Sequence, residues 1–199
     1  MNEQIREILS QITRLEDDLQ RLIHEQQVQF NYRLEGTKVL FEKNIRKAQR
    51  ELKTGLFSFL RHSQPRHLIT APFIYSLIIP VVVLDAWVTL YQFICFPLYR
   101  VPKVPRSIYV IVDRHNLSYL NIIQKLNCIY CGYCGGVFAY VREIAARSEQ
   151  YWCPIKHARK VLDPHRRYAQ FTDFGHAEEF QQMAQKLRQN LRDEKDQAV

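Results

Sequence analysis

From Leu68 to Tyr99 the chain runs through IYSLIIPVVVLDAWVTLYQFICFPLY, and Asp85 is the only formally charged side chain in that span. A straight helix needs about 20 residues at about 1.5 Å each to cross the hydrocarbon core of a bilayer, so the run is generous for one crossing and short for two. Pro80 leaves two arrangements open. It can kink a single tilted helix, or it can mark the break of a re-entrant segment whose ends return to the same side. The flanks do not choose between them: Arg50, Lys53, Arg61 and Arg66 precede the run, and Arg100, Lys103, Arg106 and Arg114 follow it, so both ends are equally basic. A carboxylate near the bilayer centre costs about 2.5–3.5 kcal/mol on insertion scales, which makes Asp85 the membrane polar site to explain. It marks a proton or substrate path, sits at a hairpin turn, pairs with a basic group of another subunit, or is protonated.

The rest of the composition fits a protein shared between membrane and water. The chain is 47% hydrophobic, yet its mean hydropathy is −0.30, so the apolar content is concentrated. The opening MNEQIREILSQITRLEDD lacks a basic start and an apolar core, which places the N-terminus in the cytosol by expectation. A net charge of +8 suits anionic lipid; no nucleic-acid motif is present and no nucleic-acid partner is expected. Five cysteines, an odd number, fit a reducing compartment better than a disulfide framework.

Three regions follow: an amphipathic helical region over 1–67, a membrane segment over 68–100, and a cytosolic helical domain over 101–199. In the first, Ile5, Ile8, Ile12, Leu15, Leu19 and Leu22 recur at steps of three and four, the seam of a coiled coil or helical hairpin through which the chain meets itself or another protein. Gly36 interrupts the pattern, and a second amphipathic helix is expected from Val39 to Leu60. Beyond the apolar run, Pro102 and Pro105 predict an extended basic connector, and Ser107-Ile-Tyr-Val-Ile-Val predicts a short strand or an extended stretch ending at Asp113. A helix from Leu117 to Leu126 enters a cysteine turn and another, from about Val137 to Tyr151, leaves it, with Tyr140, Ile144 and Ala145 on one side. A last helix spans about His176 to Leu191, capped by Asp173 and carrying Glu178 and Glu179 in its first turn, where negative charge suits the dipole.

Cys128, Cys131 and Cys134 form a C-x2-C-x2-C run, and Cys153 follows, directly before Pro154. Three thiolates on one tight turn plus a remote cysteine are the donor set of zinc or of an iron–sulfur cluster. His157 competes for the fourth place, since Cys128, Cys131, Cys153 and His157 also read as a Cys3His zinc set. The alternative is reduced thiols, for instance a redox pair. Cys95, within the apolar run, reads as a small hydrophobe. Beside the proposed metal site, Lys156, Arg159, Lys160, Arg166 and Arg167 form a basic face suited to lipid headgroups or simply to water.

The CIYCGYC turn resembles the CIxCGxC turn of bacterial ferredoxins, which implies at most one [4Fe–4S] cluster here; Phe138 stands where a two-cluster ferredoxin has a further cysteine. The wider stretch from Asp113 to Ala158 resembles a family of uncharacterised bacterial membrane proteins. That resemblance implies a bacterial inner membrane location, with both terminal regions cytoplasmic if the apolar segment is re-entrant. Asp113, His115, Glu143, Glu149, His157 and His165 supply acids, bases and ligands, but no H-E-x-x-H, G-x-S-x-G or phosphate-binding glycine loop accompanies them. The expectation is therefore a mainly α protein: an N-terminal coiled coil or helical hairpin, one apolar membrane helix and a small cysteine-rich helical C-terminal domain. Its function would be a membrane-anchored interaction or assembly module stapled by zinc. The rivals are an iron–sulfur electron carrier and a zinc enzyme acting on a lipid-linked substrate.

Overall fold

A computed structural model describes residues 11, 14–15, 17–19, 21–25, 28, 32–35, 38–41 and 43–194. These residues are mainly helical and divide into two compact units, Met1–Arg61 with Asp113–Lys125, and His62–Val112 with Leu126–Val199.

In the first unit the described residues between 11 and 28 are helical, with Leu15, Leu19 and Leu22 exposed. The remaining seam positions, Ile5, Ile8 and Ile12, and the interrupting Gly36 lie outside the described residues. The helix expected from Val39 is instead a hairpin: β1 (Tyr32–Glu35) pairs antiparallel with β2 (Lys38–Phe41), with Tyr32 opposite Phe41 and Leu34 opposite Val39. The period of two in Tyr-Arg-Leu-Glu and Lys-Val-Leu-Phe is the strand period, and this alternation prevails over the looser helical spacing. Helices α1 (Lys43–Glu51) and α2 (Leu56–His62) follow. Gln49 Oε1 accepts the Ser118 backbone N–H at 3.2 Å, tying residue 118 to α1.

The second unit is built on α3 (Pro65–Ser76) and α4 (Ile78–Tyr99). Leu77, between them, keeps right-handed helical dihedrals (φ −60°, ψ −20°), so Pro65–Tyr99 is a continuous helical run of 35 residues. The chain therefore does not reverse at Pro80, and a re-entrant break does not form. Pro80 lies three residues into α4, where its missing N–H coincides with the turn at Leu77 that divides α3 from α4. Arg100 ends the helix in the left-handed region (φ 58°), with Arg100 N–H on Pro97 O at 3.2 Å and Val101 N–H on Phe96 O at 2.8 Å, the two bonds of a Schellman stop.

Residues 101–112 then form a strap containing one helical turn, α5 (Arg106–Tyr109). The strand expected from Ser107 is absent because no second strand lies beside it; helices flank it instead. The cysteine turn is also absent: α6 (Ile122–Trp152) is one helix of 31 residues that carries Cys128, Cys131 and Cys134 within it. It starts later than Leu117 because Asn121 caps it. Gln124 N–H donates to Asn121 Oδ1 and Asn121 N–H to Gln124 Oε1, each at 2.9 Å, a reciprocal capping box. Beyond Trp152, Ile155 bridges to Thr172, a 3-10 turn covers Arg166–Gln170, and α7 (Ala177–Asp193) buries Ala184, Leu187 and Leu191, with Glu178 and Glu179 in its first turn as expected. Asp173 does not cap α7. Its carboxylate accepts from Lys156 Nζ at 2.7 Å, and that bond holds it below the usual carboxylate range.

The core joins α4, the strap, α6 and α7 through Phe96, Val101, Val104, Tyr140, Ile144 and Leu191, with a second cluster of Val81, Cys134 and Val137. Ala145, expected with Tyr140 and Ile144, points outward, and Ala146 takes the buried place.

Candidate functional site

Helix α4 covers two polar side chains together with two apolar ones, and is mostly apolar where it is bare. Its buried residues are Val81, Asp85, Gln92 and Phe96, on one stripe. Its exposed positions include Val83, Trp87, Phe93 and Leu98, each more than 60% exposed. A helix of a water-soluble core has the opposite polarity.

The two buried polar side chains have specific work to do on the strap. Gln92 donates from Nε2 to the Val104 carbonyl at 3.2 Å and accepts the Val104 N–H on Oε1 at 2.9 Å. The primary amide thus pairs with that residue's backbone as a neighbouring strand would. Its Nε2 also donates to Tyr140 Oη at 2.5 Å. Seven residues earlier, two helical turns along the same stripe, Asp85 receives the Arg106 guanidinium: Nε donates to Oδ1 at 3.1 Å and Nη2 to Oδ2 at 2.7 Å, the two-pronged geometry of a strong ion pair. Tyr133 Oη adds a bond to Oδ2 at 2.9 Å, and its ring lies 5.9 Å from the Arg106 guanidinium carbon. Asp85 thus has a partner within its own chain.

The facing helix supplies the space. Gly132 and Gly136, four apart on α6, lie under the strap backbone: a Cβ at Gly136 would stand 2.6 Å from Tyr109 O and 2.7 Å from Val110 Cα, and one at Gly132 would stand 3.1 Å from Ile111 O. Such a small-xxx-small pair lets backbones approach closely. In the sequence it is visible as G-Y-C-G-G within the cysteine run, and attention to the thiols hides it. Helix α6 survives its glycines, at about 1 kcal/mol each relative to alanine, because Cys134, Val137 and Tyr140 bury its inner stripe.

The proposed metal ligands do not converge. Cys153 lies just past the end of α6, so about 28 Å of helix, at about 1.5 Å per residue, separates it from Cys134. Cys134 is buried, Cys128 is half-buried, and Cys131 and Cys153 are exposed. His157 stacks on Tyr168 at 6.2 Å between ring centroids, and it shares no helix with Cys153. Among the described residues no group of three or more His, Cys, Asp and Glu side chains is placed to hold a metal ion.

A second polar assembly stands at the far end of α6. Arg147 Nε and Arg167 Nη2 donate to Glu143 Oε1 at 3.0 and 2.9 Å. Arg167 also reaches Gln150 and Glu194, and Arg147 Nη1 donates to Pro102 O at 2.6 Å. The network therefore ties the base of the strap, α6, the 3-10 turn and the end of α7 together around a cleft of about 570 Å³. It also divides the expected basic face: Arg167 is half-buried in ion pairs, Lys156 is bonded to Asp173, and Arg166 stays outside at 85% side-chain exposure, with Arg159 and Lys160 also exposed. Of the remaining acids and bases, His165 Nε2 lies 3.0 Å from Glu149 Oε2, while Asp113 and His115 belong to the first unit.

Burial pushes the Glu143 carboxyl up, but its bonds to Arg147 and Arg167 outweigh that, so it sits below its ordinary 4.5. A depressed carboxylate contributes stability that is complete above its unfolded value and fades as pH falls through the folded one. The thermal midpoint of the wild type should therefore fall as pH drops below about 4.5. Glu143→Gln should start lower at pH 7 and lose less across the same range, as measured by melting curves between pH 3 and 7.

Compared with protein-family models, curated proteins and solved structures, the chain matches none.

Proposed function

We propose that the protein is a membrane-embedded interaction module whose α3–α4 run lies in lipid and whose helices outside it serve assembly. The observation that carries this reading is the apolar bare side of α4, with Asp85 and Gln92 covered and Val83, Trp87, Phe93 and Leu98 bare. In water that face would be an aggregation liability; in a bilayer it meets its own kind of solvent. Pro65–Tyr99 is long and apolar enough to cross a membrane, and Arg61, Arg66, Arg100 and Lys103 bracket it. Asp85, the costly residue, is neutralised by Arg106 as an intramembrane charge requires. The exposed Leu15, Leu19 and Leu22 support docking or self-association through the N-terminal helical residues, the coiled-coil part of the reading.

A zinc staple and an iron–sulfur centre form no part of this proposal. Neither is supported by a group of three or more donor side chains among the described residues.

Trp87 supplies the test. In a Trp152→Phe variant it is the one remaining tryptophan, and lipids brominated on their acyl chains should quench its emission strongly in reconstituted vesicles. Unquenched emission, together with release of the wild type from membranes by alkaline carbonate, would sink the membrane reading.

A further inference from the structure

The cleft beside Glu143 is lined by two unlike sets of residues. Pro105, Ile108 and Tyr109 of the strap and Ala139 of α6 are apolar or aromatic, whereas the ionised lining sets four arginines against three carboxylates. Those carboxylates are already engaged. Glu143 accepts from Arg147 and Arg167, Glu194 accepts from Arg167, and Asp163 pairs with Arg142 at 3.2 Å. Arg166 is left over. Its nearest carboxylate oxygen, Glu143 Oε2, stands 3.9 Å away, beyond hydrogen-bond reach.

The loop that carries Arg166 is anchored to α6. Arg142 Nη2 donates to the Asp163 carbonyl at 2.7 Å, and Asp163 stands in the left-handed region (φ 52°) directly before Pro164. The cleft also has a definite height beside α4. Gln92 bonds Tyr140 and Tyr99 packs on Tyr151, so Arg142 and Arg147, between those contacts on α6, stand beside the last two turns of α4. There the apolar run gives way to Arg100 and Lys103, which is the depth of the headgroups if α4 lies in lipid.

We propose that this cleft binds the phosphate of an anionic phospholipid, with Arg166 as the principal donor and Arg142 as the second. The proposal rests on the membrane reading of α4 and deepens it by naming the lipid class that the module holds. A guanidinium matches two phosphate oxygens at once. Arg142 can turn to such a group because its partner Asp163 is 86% exposed, and an exposed pair contributes little to stability. The volume, about 570 Å³, falls within the range of small-molecule sites, about 300–1,000 Å³. A free phosphate would use the charged lining alone. An amphiphile also covers Pro105, Ile108 and Ala139, and this decides for lipid.

The test is the thermal midpoint of the protein in a nonionic detergent, titrated with dioctanoyl phosphatidylglycerol, dioctanoyl phosphatidylcholine or glycerol 3-phosphate. The phosphatidylglycerol should raise the midpoint saturably and well above the other two. Arg166→Gln should raise the half-saturating concentration about tenfold, as the loss of a charge-assisted bond does. It should fold normally, since this side chain is 85% exposed. Arg159→Gln removes an exposed charge outside the cleft lining and should leave the half-saturating concentration unchanged. Equal weakening by the two variants would mean diffuse attraction to a basic surface and would overturn the site, as would equal shifts with the two lipids. A shift with glycerol 3-phosphate as large as that with phosphatidylglycerol would overturn lipid as the occupant. Alkaline carbonate on native membranes separates the two failures: a protein that stays in the membrane but shows no preference for phosphatidylglycerol overturns the site alone, whereas a released protein overturns the membrane reading itself.

Discussion

Gly136→Leu is expected to lower the thermal midpoint of the detergent-solubilised protein by about 6–12 °C, the equivalent of about 3 kcal/mol for a chain of this size. Gly135→Leu, one residue away, should leave it unchanged or raised. The contrast comes from what stands opposite each position. A Cβ at Gly136 would meet the Tyr109 carbonyl and the Val110 Cα, whereas at Gly135 nothing lies within 4 Å. Backbone cannot swing aside as a flexible side chain does, so the strap itself must lift from α6 and take Arg106 with it. At Gly135 the only change is the gain of about 0.8–1.0 kcal/mol in helix propensity on leaving glycine. Equal effects at the two positions would mean that the strap does not lie on the Gly136 face of α6.

The same glycines show where the sequence was legible and where it was not. The apolar run, its basic flanks and the last helix follow from composition and period alone, since each signal is local and repeats over several turns. Asp85 was legible as a problem but not as a solution: its partner Arg106 is 21 residues on, beyond a turn in the chain, and looked like one more flanking charge. Gln92 carries a weaker signal in the sequence, because an amide in an apolar run is a lesser anomaly than a carboxylate, yet it fixes the strap. The cysteines misled in the opposite way. Their spacing of three is compatible with a ligand turn, but it is also compatible with one side of a helix, and only the packing of Val137, Tyr140 and Ile144 on the same stripe decides for the helix. The strand expected at Ser107–Val112 failed for a related reason: β-branched residues favour extended backbone, but extended backbone becomes a strand only beside another.

The second large effect is expected at Asp85 and Arg106. Asp85→Leu should destabilise by about 3–5 kcal/mol, because it leaves the guanidinium unpaired against an apolar helix, and Arg106→Leu should cost a similar amount by leaving the carboxylate with neutral partners, Tyr133 and Thr89. The double variant Asp85→Leu/Arg106→Leu should recover most of the loss, since a covered ion pair replaced by apolar side chains is often neutral or better. Arg106→Lys should fall between wild type and the single losses: an ammonium keeps the charge but cannot make both of the bonds at 3.1 and 2.7 Å in one plane. Melting midpoints of the wild type, the two single leucine variants and the double variant in one detergent, arranged as a double-mutant cycle, measure the coupling directly. Losses that simply add would mean that the two residues act on different parts of the fold and that Arg106 does not neutralise Asp85. A recovered double variant would instead place the pair among the devices that fix position: its value lies less in net stability than in making Arg106 the one strap residue that can sit opposite Asp85, just as Gln92 admits only a backbone at the height of Val104.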